Sequence, residues 1–289
     1  MDLSIIIPSF NTKYLTKRCL RSIIETLKRS KLMYEIIVID NASKDGSVEM
    51  LNTQFPQVIK ILNKENVGYG TANNMGLHIA KGTYALMLNS DIDALHGSLE
   101  RLYAFGQSHP KSFVGGKLYN EDGSLQPSCG PMFTLWYVFL MLFFQADKLS
   151  ITRYSPNHPK RVGWASGACL LGTRDSFYDV GLFDQGIFMY MDEIEFLYRA
   201  GAKGYKVFFT PHAKFIHTGA ASSANSRAPV KNIFRGLIYF YRKHRTAFEV
   251  SVLKFMLTVK ARISIGVGMV LGKRDLVNIY EEGLALVNQ

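Results

Sequence analysis

The sequence predicts an α/β protein with a mostly parallel central sheet flanked by helices and a helical appendage at its C-terminal end. Three observations predict it. Short, nearly continuous apolar runs alternate with stretches of helical spacing through the first hundred or so residues, as strands buried on both faces of a parallel sheet and their crossover helices do. Polar clusters fall at the ends of those runs, where open α/β sheets bind their ligands. The last third of the chain is helical in pattern and strongly basic.

The elements follow in order. LSIIIPSF (3–10) and YEIIVIDN (34–41) are Ile-rich strands bounded by turn residues, and Leu15, Leu20, Ile23, Ile24 and Leu27 recur at helical spacing between them. This is a β-α-β unit. VIKILN (58–63), a Gly- and Asn-rich segment leading into a helix over about 70–81, YALMLNSD (84–91) and a helix near 98–108 continue the rhythm. It changes after residue 113. VGGKLYN and SLQPSCG around EDG read as a hairpin, and PMFTLWYVFLMLFF (131–144) is a run of 14 uncharged residues, too short to span a bilayer. That run reads either as a buried helix or as an interfacial or acceptor-facing segment. GWASGACLLG (163–172) reads as one strand, the acidic cluster of MYMDEIEFLYRAGAKG (189–204) opens a helix ending at Gly201 or Gly204, and YKVFFTP (205–211) is a further strand.

With 289 residues, 47% hydrophobic, the chain can bury a large core and is not disordered. Its three cysteines, Cys19, Cys129 and Cys169, are far apart and lack C-x-x-C spacing, so neither a disulfide framework nor a thiolate zinc site is expected, which favours a reducing compartment. MDLSIIIPSFN does not match a signal peptide, and the expected localisation is cytoplasmic. The charge is uneven. Residues 1–202 carry 20 Lys and Arg against 19 Asp and Glu, whereas residues 203–289 carry 14 against 4. A tail this basic suits an anionic partner, either nucleic acid or an acidic membrane surface. In the tail, Phe234, Leu237, Ile238 and Tyr241 form one stripe, and the apolar stretch at 248–272 is broken by Lys254, Lys260 and Arg262. That pattern fits a helix lying on a membrane surface, or one packed on the core with a solvated basic face. No nucleic-acid motif accompanies the basic residues.

Several constellations carry chemistry. GYGTANNMG follows the third strand and ends its G-x-G-x-x-N in Asn, so the dinucleotide fingerprint is not met. Asp40, at a strand end, is placed to accept hydrogen bonds from a base or ribose. Asp91 and Asp93, one residue apart after a buried strand, are hard oxygen ligands suited to Mg²⁺ or Mn²⁺ shared with a diphosphate. Asp192, Glu193 and Glu195 crowd three carboxylates into four positions. They complement a helix dipole, and Glu195 to Arg199 is a favourable i, i+4 pair. They equally form a site whose proton affinity is raised by mutual repulsion. From these features alone a nucleotidyltransferase and a basic nucleic-acid-binding protein also stand.

IIIPSFN, IIVIDNASKDGS, NVGYGTANNMG, LMLNSDID, the long segment at 163–207 and HTGAAS, in order and spacing, resemble the family 2 glycosyltransferases over residues 3–223. The subgroup most resembled adds rhamnose or related sugars to bacterial surface polysaccharide precursors. The resemblance implies a nucleotide-diphosphosugar transferase (GT-A type) fold over residues 1–229, with a nucleotide-sugar half at about 1–112 and an acceptor half at about 113–229, followed by the basic amphipathic tail at 230–289. It implies a metal-dependent inverting transfer from a nucleotide-diphosphate sugar to a saccharide acceptor, lipid-linked, with Mg²⁺ or Mn²⁺ as cofactor. The enzyme would then lie peripherally at the inner face of the cell membrane, with no nucleic-acid partner. Residue by residue, Pro8 and Ser9 border the base, Asp40 contacts base or ribose, and the stretch with Asn66, Gly68 and Asn73 covers the nucleotide. The family's metal-binding Asp-x-Asp falls on Asn89, Ser90 and Asp91, its first acid replaced by Asn. That leaves Asp91 as chief ligand, Asp93 as a second and His217 beside diphosphate or metal. The family's Glu-Asp pair appears reversed as Asp192-Glu193, with Glu193 aligned to the base, Asp192 its competitor and Glu195 at the later acidic position.

Overall fold

The computed structural model describes residues 1–219 and 228–287. The end of the HTGAAS motif, at 220–222, lies outside the described residues. The chain begins with β1 (Leu3–Ser9), α1 (Lys13–Leu27), β2 (Tyr34–Asp40), α2 (Ser47–Gln54), β3 (Ile59–Leu62), α3 (Tyr69–Ile79), β4 (Tyr84–Leu88), β5 (Ile92–Ala94) and α4 (Ser98–Ser108). Then come β6 (Ser112–Tyr119), β7 (Leu125–Gln126), β8 (Cys129–Gly130), α5 (Leu135–Phe144), β9 (Lys160–Val162), β10 (Trp164–Ala165), β11 (Cys169–Thr173), α6 (Arg174–Val180), α7 (Asp192–Ala202) and β12 (Lys206–His217). Helices α8 (Ala228–His244), α9 (Ala247–Val270) and α10 (Arg274–Val287) form the appendage.

The main sheet has the order β3-β2-β1-β4-β11-β6-β12-β5. Strands β3, β2, β1 and β4 are mutually parallel, as the apolar runs predict, and β12 is parallel to β6. β11 is antiparallel to both of its neighbours. The period of two along β1 divides the core. Ile5 and Ile7 join Leu20, Ile23 and Leu27 of α1 on one face, while Ile6 joins Leu77 of α3 on the other. Each such fully buried aliphatic side chain contributes roughly 1.5–3 kcal/mol over an exposed one. Gly76 lets α3 lie close on β1, since a Cβ there would fall 2.4 Å from Ile6 Cγ2.

Two elements depart from the sequence reading. The run at 163–172 is not one strand. Trp164–Ala165 pairs with β8 in a separate two-stranded sheet, and Cys169–Thr173 enters the main sheet, with Ser166 to Ala168 turning between them. β12 continues past Pro211 to His217 because the register shifts between Thr210 and Lys214, and a bulge is where a strand tolerates proline. Its extension carries His217 to the edge beside β5.

Candidate active site

The carboxyl ends of β1, β2 and β4 meet in a network of hydroxyls. Ser9 bonds Thr16 at 2.9 Å and Thr12 at 3.2 Å, and Thr12 bonds Ser90 at 3.0 Å. These links tie the Pro8–Ser9 corner to the turn at Asn89, Ser90 and Asp91. Asp40 is buried at the end of β2, opposite Ser9 in register. Its Oδ1 accepts the Ser43 N–H at 2.9 Å, and its Oδ2 has no hydrogen-bond partner among the described residues. Asn73, fully buried on α3, donates to the Tyr69 carbonyl at 3.1 Å, and its own Oδ1 has no partner among the described residues. Buried acceptors are rarely left so in a folded chain, and each is suited to N–H or O–H groups of a ligand. Asn66 Oδ1 accepts from the Gly68 N–H at 3.0 Å, holding the turn before α3.

Asp91 and His217 converge although 126 residues separate them. The His217 Nε2 lies 3.3 Å from Asp91 Oδ1 and 3.3 Å from Asn89 Nδ2. Asp91 Oδ2 accepts the Gly219 N–H at 3.0 Å. The other ring nitrogen, Nδ1, lies 2.7 Å from Gln126 Oε1, and Gln126 Nε2 donates to Asn120 Oδ1 at 2.9 Å. That orientation of the amide makes Nδ1 the protonated nitrogen and leaves Nε2 as an acceptor facing the Asn89 amide, beside Asp91, and an imidazole held through its other nitrogen in this way is suited to a metal. Asp93 does not join them. Its carboxylate is ion-paired with Arg18, which also holds Glu121 at 2.7 Å, and no group of three His, Cys, Asp or Glu suited to a metal occurs among the described residues.

The three carboxylates of α7 have different surroundings. The helix starts after Tyr190 and Met191, both left-handed at φ 65° and 72°, a conformation that non-glycine residues hold only when their surroundings impose it. Met191 is locked by α8, because a Cβ on Gly236 would fall 2.7 Å from its Cγ. Asp192 is sealed under the start of α3. It is 2% exposed, its Oδ1 would lie 3.0 Å from a Cβ on Gly70, and that oxygen has no hydrogen-bond partner among the described residues. Burial, and then the neighbouring charge of Glu193, push its carboxyl well above the ordinary range. Glu193 is half-buried. Burial raises it too, but its own backbone, the Arg153 charge and the Gly167 backbone oppose the rise. Of the adjacent pair, Glu193 is therefore the less strongly raised and the one that reaches solvent. Gly167 also fixes where it stands, since the Gly167 Cβ position is 3.4 Å from Glu193 Cβ while the next carbonyl, of Ala168, accepts the Asn89 N–H at 3.0 Å. Glu193 and the turn that carries Asp91 thus flank one short segment.

The family's sequence profile, described as glycosyl transferase family 2, matches residues 4–156. The chain belongs to glycosyl transferase family 2. This glycosyltransferase is 29% identical over 213 residues to the N-acetylglucosaminyl-diphospho-decaprenol L-rhamnosyltransferase of Mycobacterium tuberculosis, covering 67% of this chain and 69% of that protein. It is 26% identical over 207 residues to the rhamnosyltransferase WbbL of Escherichia coli K12, covering 68% and 78%. Its fold is similar to that of GalNAc-T7, crystallised with UDP, GalNAc and Mn²⁺, at a TM-score of 0.61 and 20% identity, over 83% of this chain and 50% of that one. The GT-A-like fold is thereby shown, and of the three readings that the sequence allowed, sugar transfer is the one that holds.

In this glycosyltransferase Glu195 has a different task from its two neighbours. It is fully buried, and it meets Arg199 Nη2 at 2.8 Å, His244 Nε2 at 2.9 Å and Lys243 Nζ at 3.1 Å. Burial would raise its carboxyl, but the hydrogen bonds and charge of Arg199, with His244 and Lys243, bring it below the ordinary range. Arg199 further donates to the carbonyls of Val180 and Leu182 at 2.6 Å each. Lys243 also pairs with Asp184, whose Oδ2 accepts from Tyr239 at 2.8 Å. The appendage helix α8 is so joined to the loop 181–191, which in turn grips α3. The Asn74 amide bonds both the N–H and the carbonyl of Phe183, at 2.9 and 2.8 Å, and Phe188 O accepts the Tyr69 N–H at 3.1 Å. Gly68, at φ 84°, is required there, because a Cβ would fall 2.4 Å from Phe188 O. Gln126, Arg18 and Thr12 escaped the sequence reading, since each acts through a partner distant in sequence and none sits in a motif of its own.

Proposed function

We propose that this enzyme transfers a hexosyl group, rhamnosyl by the likeness to its relatives, from a nucleotide-diphosphate donor to a lipid-linked saccharide with inversion at the anomeric carbon. The observation that carries the reading is that segment 167–168 touches both Glu193 and the turn holding Asp91. Asp40, Asn73 and the segment at 66–74 receive the nucleotide, with Pro8 and Ser9 beside the base. Asp91 and His217 are a carboxylate and an imidazole, a donor set that suits Mn²⁺ better than Mg²⁺. Two protein ligands suffice when diphosphate oxygens and water complete the shell. Such an ion, when bound, neutralises charge on the departing diphosphate. Asp93 has no part in this set, being held by Arg18.

Glu193 takes the proton of the acceptor hydroxyl as that oxygen attacks the anomeric carbon from the side opposite the diphosphate. One C–O bond forms, the C–O bond to phosphate breaks, and the proton stays on the Glu193 carboxyl. Asp192, sealed and held towards its protonated form, positions the donor segment. After a thermal-shift screen of UDP-, GDP- and dTDP-sugars with Mn²⁺ has identified the donor, phosphorus NMR should show nucleoside diphosphate appearing as sugar is transferred. Pyrophosphate as product would overturn the reading.

Replacing Asp91 by Asn should remove the metal-dependent part of donor binding while the melting curve stays that of the wild type. Asp93→Asn should weaken donor binding far less. Calorimetry with and without EDTA reads the difference, and equal donor affinity in wild type and Asp91→Asn would refute the ligand assignment.

The enzyme meets its lipid-linked acceptor as a peripheral protein at the inner face of the cell membrane. No helix among the described residues is long and apolar enough to cross a bilayer. α9 buries Leu253, Leu257 and Ala261 and turns Phe248, Phe255, Ile263 and Val270 outward, Val270 being 87% exposed. α5 packs against α9 and adds Trp136, 62% exposed. Arg262 lies on this apolar face, with Lys254 and Lys260 on its two flanks, and each cation near anionic lipid contributes about 1 kcal/mol. Binding to anionic vesicles should fall with salt, and the double change Phe248→Ser, Phe255→Ser should weaken it about tenfold or more. Co-sedimentation with neutral and anionic vesicles measures both. Retention that ignores lipid charge, salt and the double change would contradict this docking.

A further inference from the structure

Resting on Glu193 as the base, we propose that Tyr69 is a positioning residue for the transfer, its hydroxyl holding the Gly167 segment against which Glu193 stands. Tyr69 is anchored at both backbone ends and along its ring. Its N–H donates to the Phe188 carbonyl at 3.1 Å, its own carbonyl accepts the Asn73 amide at 3.1 Å, and its ring meets Phe183 edge-on with centroids 6.0 Å apart. From that anchored ring the hydroxyl reaches a residue 98 positions later in the chain, donating to the Gly167 carbonyl at 2.6 Å. A Cβ on Gly167 would lie 3.2 Å from the Tyr69 hydroxyl oxygen and 3.4 Å from Glu193 Cβ. Gly167 is thus the piece of backbone between the phenol and the base.

Packing does not need this hydroxyl. A phenylalanine ring would fill the same space against Phe183, so the phenolic oxygen adds its bond to Gly167. Burial, and then the charges of Glu193 and Asp192, push the hydroxyl well above the ordinary phenol range, and it stays a neutral donor. The next carbonyl, of Ala168, is tied to the Asn89 N–H at 3.0 Å. Loss of the hydroxyl therefore frees the segment at its Gly167 end, on the Glu193 side. The carboxyl of Glu193 feels the Gly167 backbone, which opposes the rise that burial imposes. Because Tyr69 opens α3 within the segment that receives the nucleotide, a donor that settles this segment settles the base with it.

Tyr69→Phe removes the hydroxyl and keeps the ring. Calorimetry should find donor affinity unchanged, while kcat falls about tenfold or more, the order for a misplaced reacting group. The acid limb of kcat/KM should move to higher pH, because the Gly167 backbone that holds the Glu193 carboxyl down is no longer fixed. Asp192 and Arg153, the other charged groups that act on Glu193, are untouched by the change. A lower melting point with the limb unmoved would mean that the hydroxyl only supports the fold, and the inference would be wrong. In a Glu193→Gln background, Tyr69→Phe should cost no more than about twofold, since residues that act through one group do not add. Losses that multiply in the double variant, or a Tyr69→Phe enzyme that loses donor affinity at unchanged kcat, would overturn the inference as well. Failure of the base reading shows separately, in Glu193→Gln alone: full turnover in that single variant would remove the base, and the role of Tyr69 with it.

Discussion

Glu193→Gln is expected to lower turnover about 10²–10⁴-fold with donor affinity preserved, the range for loss of a general base. Glutamine keeps the length and the hydrogen-bonding capacity of the side chain and removes only its basicity. Asp192→Asn should cost less, because Asp192 is 2% exposed and cannot reach an incoming acceptor hydroxyl without displacing the donor segment. The acid limb of kcat/KM should lie above the ordinary glutamate value of about 4.3, since burial raises the Glu193 carboxyl. Activity then rises with pH through that raised value as the anion forms. Steady-state kinetics on both variants settle the assignment. A dead Asp192→Asn beside an active Glu193→Gln would mean that the reversed pair exchanged roles.

Glu195→Gln should damage the fold instead of the chemistry. Breaking a buried ion pair costs about 3–5 kcal/mol, because the partner charges are left uncompensated. Here three partners depend on one carboxylate, two of them on α8. Arg199 keeps the Val180 and Leu182 carbonyls, so the loss should fall near the lower end, and the thermal midpoint should drop by roughly 10 °C. The folded Glu195 carboxyl titrates below its ordinary value. Its contribution is therefore complete above that ordinary value and disappears as pH falls through the lower, folded one. Melting curves of wild type and Glu195→Gln should converge at acid pH and separate towards neutrality. A variant as stable as the wild type at neutral pH would show the network to be dispensable.

How much of this was legible in the sequence depends on whether a residue acts locally. β1, β2 and β4 were readable because strands buried on both faces must be apolar throughout, and Ile5, Ile6 and Ile7 satisfy two faces at once. The split of 163–172 was not, because Ser166 and Gly167 are small residues that interrupt neither composition nor period. The acidic cluster was visible as a cluster, yet its division of labour was not. Only the packing of Gly70 on Asp192, of Gly167 on Glu193, and of Lys243 and His244 on Glu195 separates the three. Asp93 shows the same limit from the other side, since its partner Arg18 lies on α1, 75 residues earlier, and looked like any surface cation. The tail's basic surplus was correctly located, but Lys243 is spent inside the fold on Asp184 and Glu195.

The most direct measurement of the account is the anomeric configuration of the transferred sugar, read by proton NMR on the product before it can equilibrate. A single displacement with Glu193 as base and the diphosphate leaving from the opposite face predicts inversion relative to the donor. Retention of the donor's configuration would require a second displacement or a same-face attack, and would contradict it.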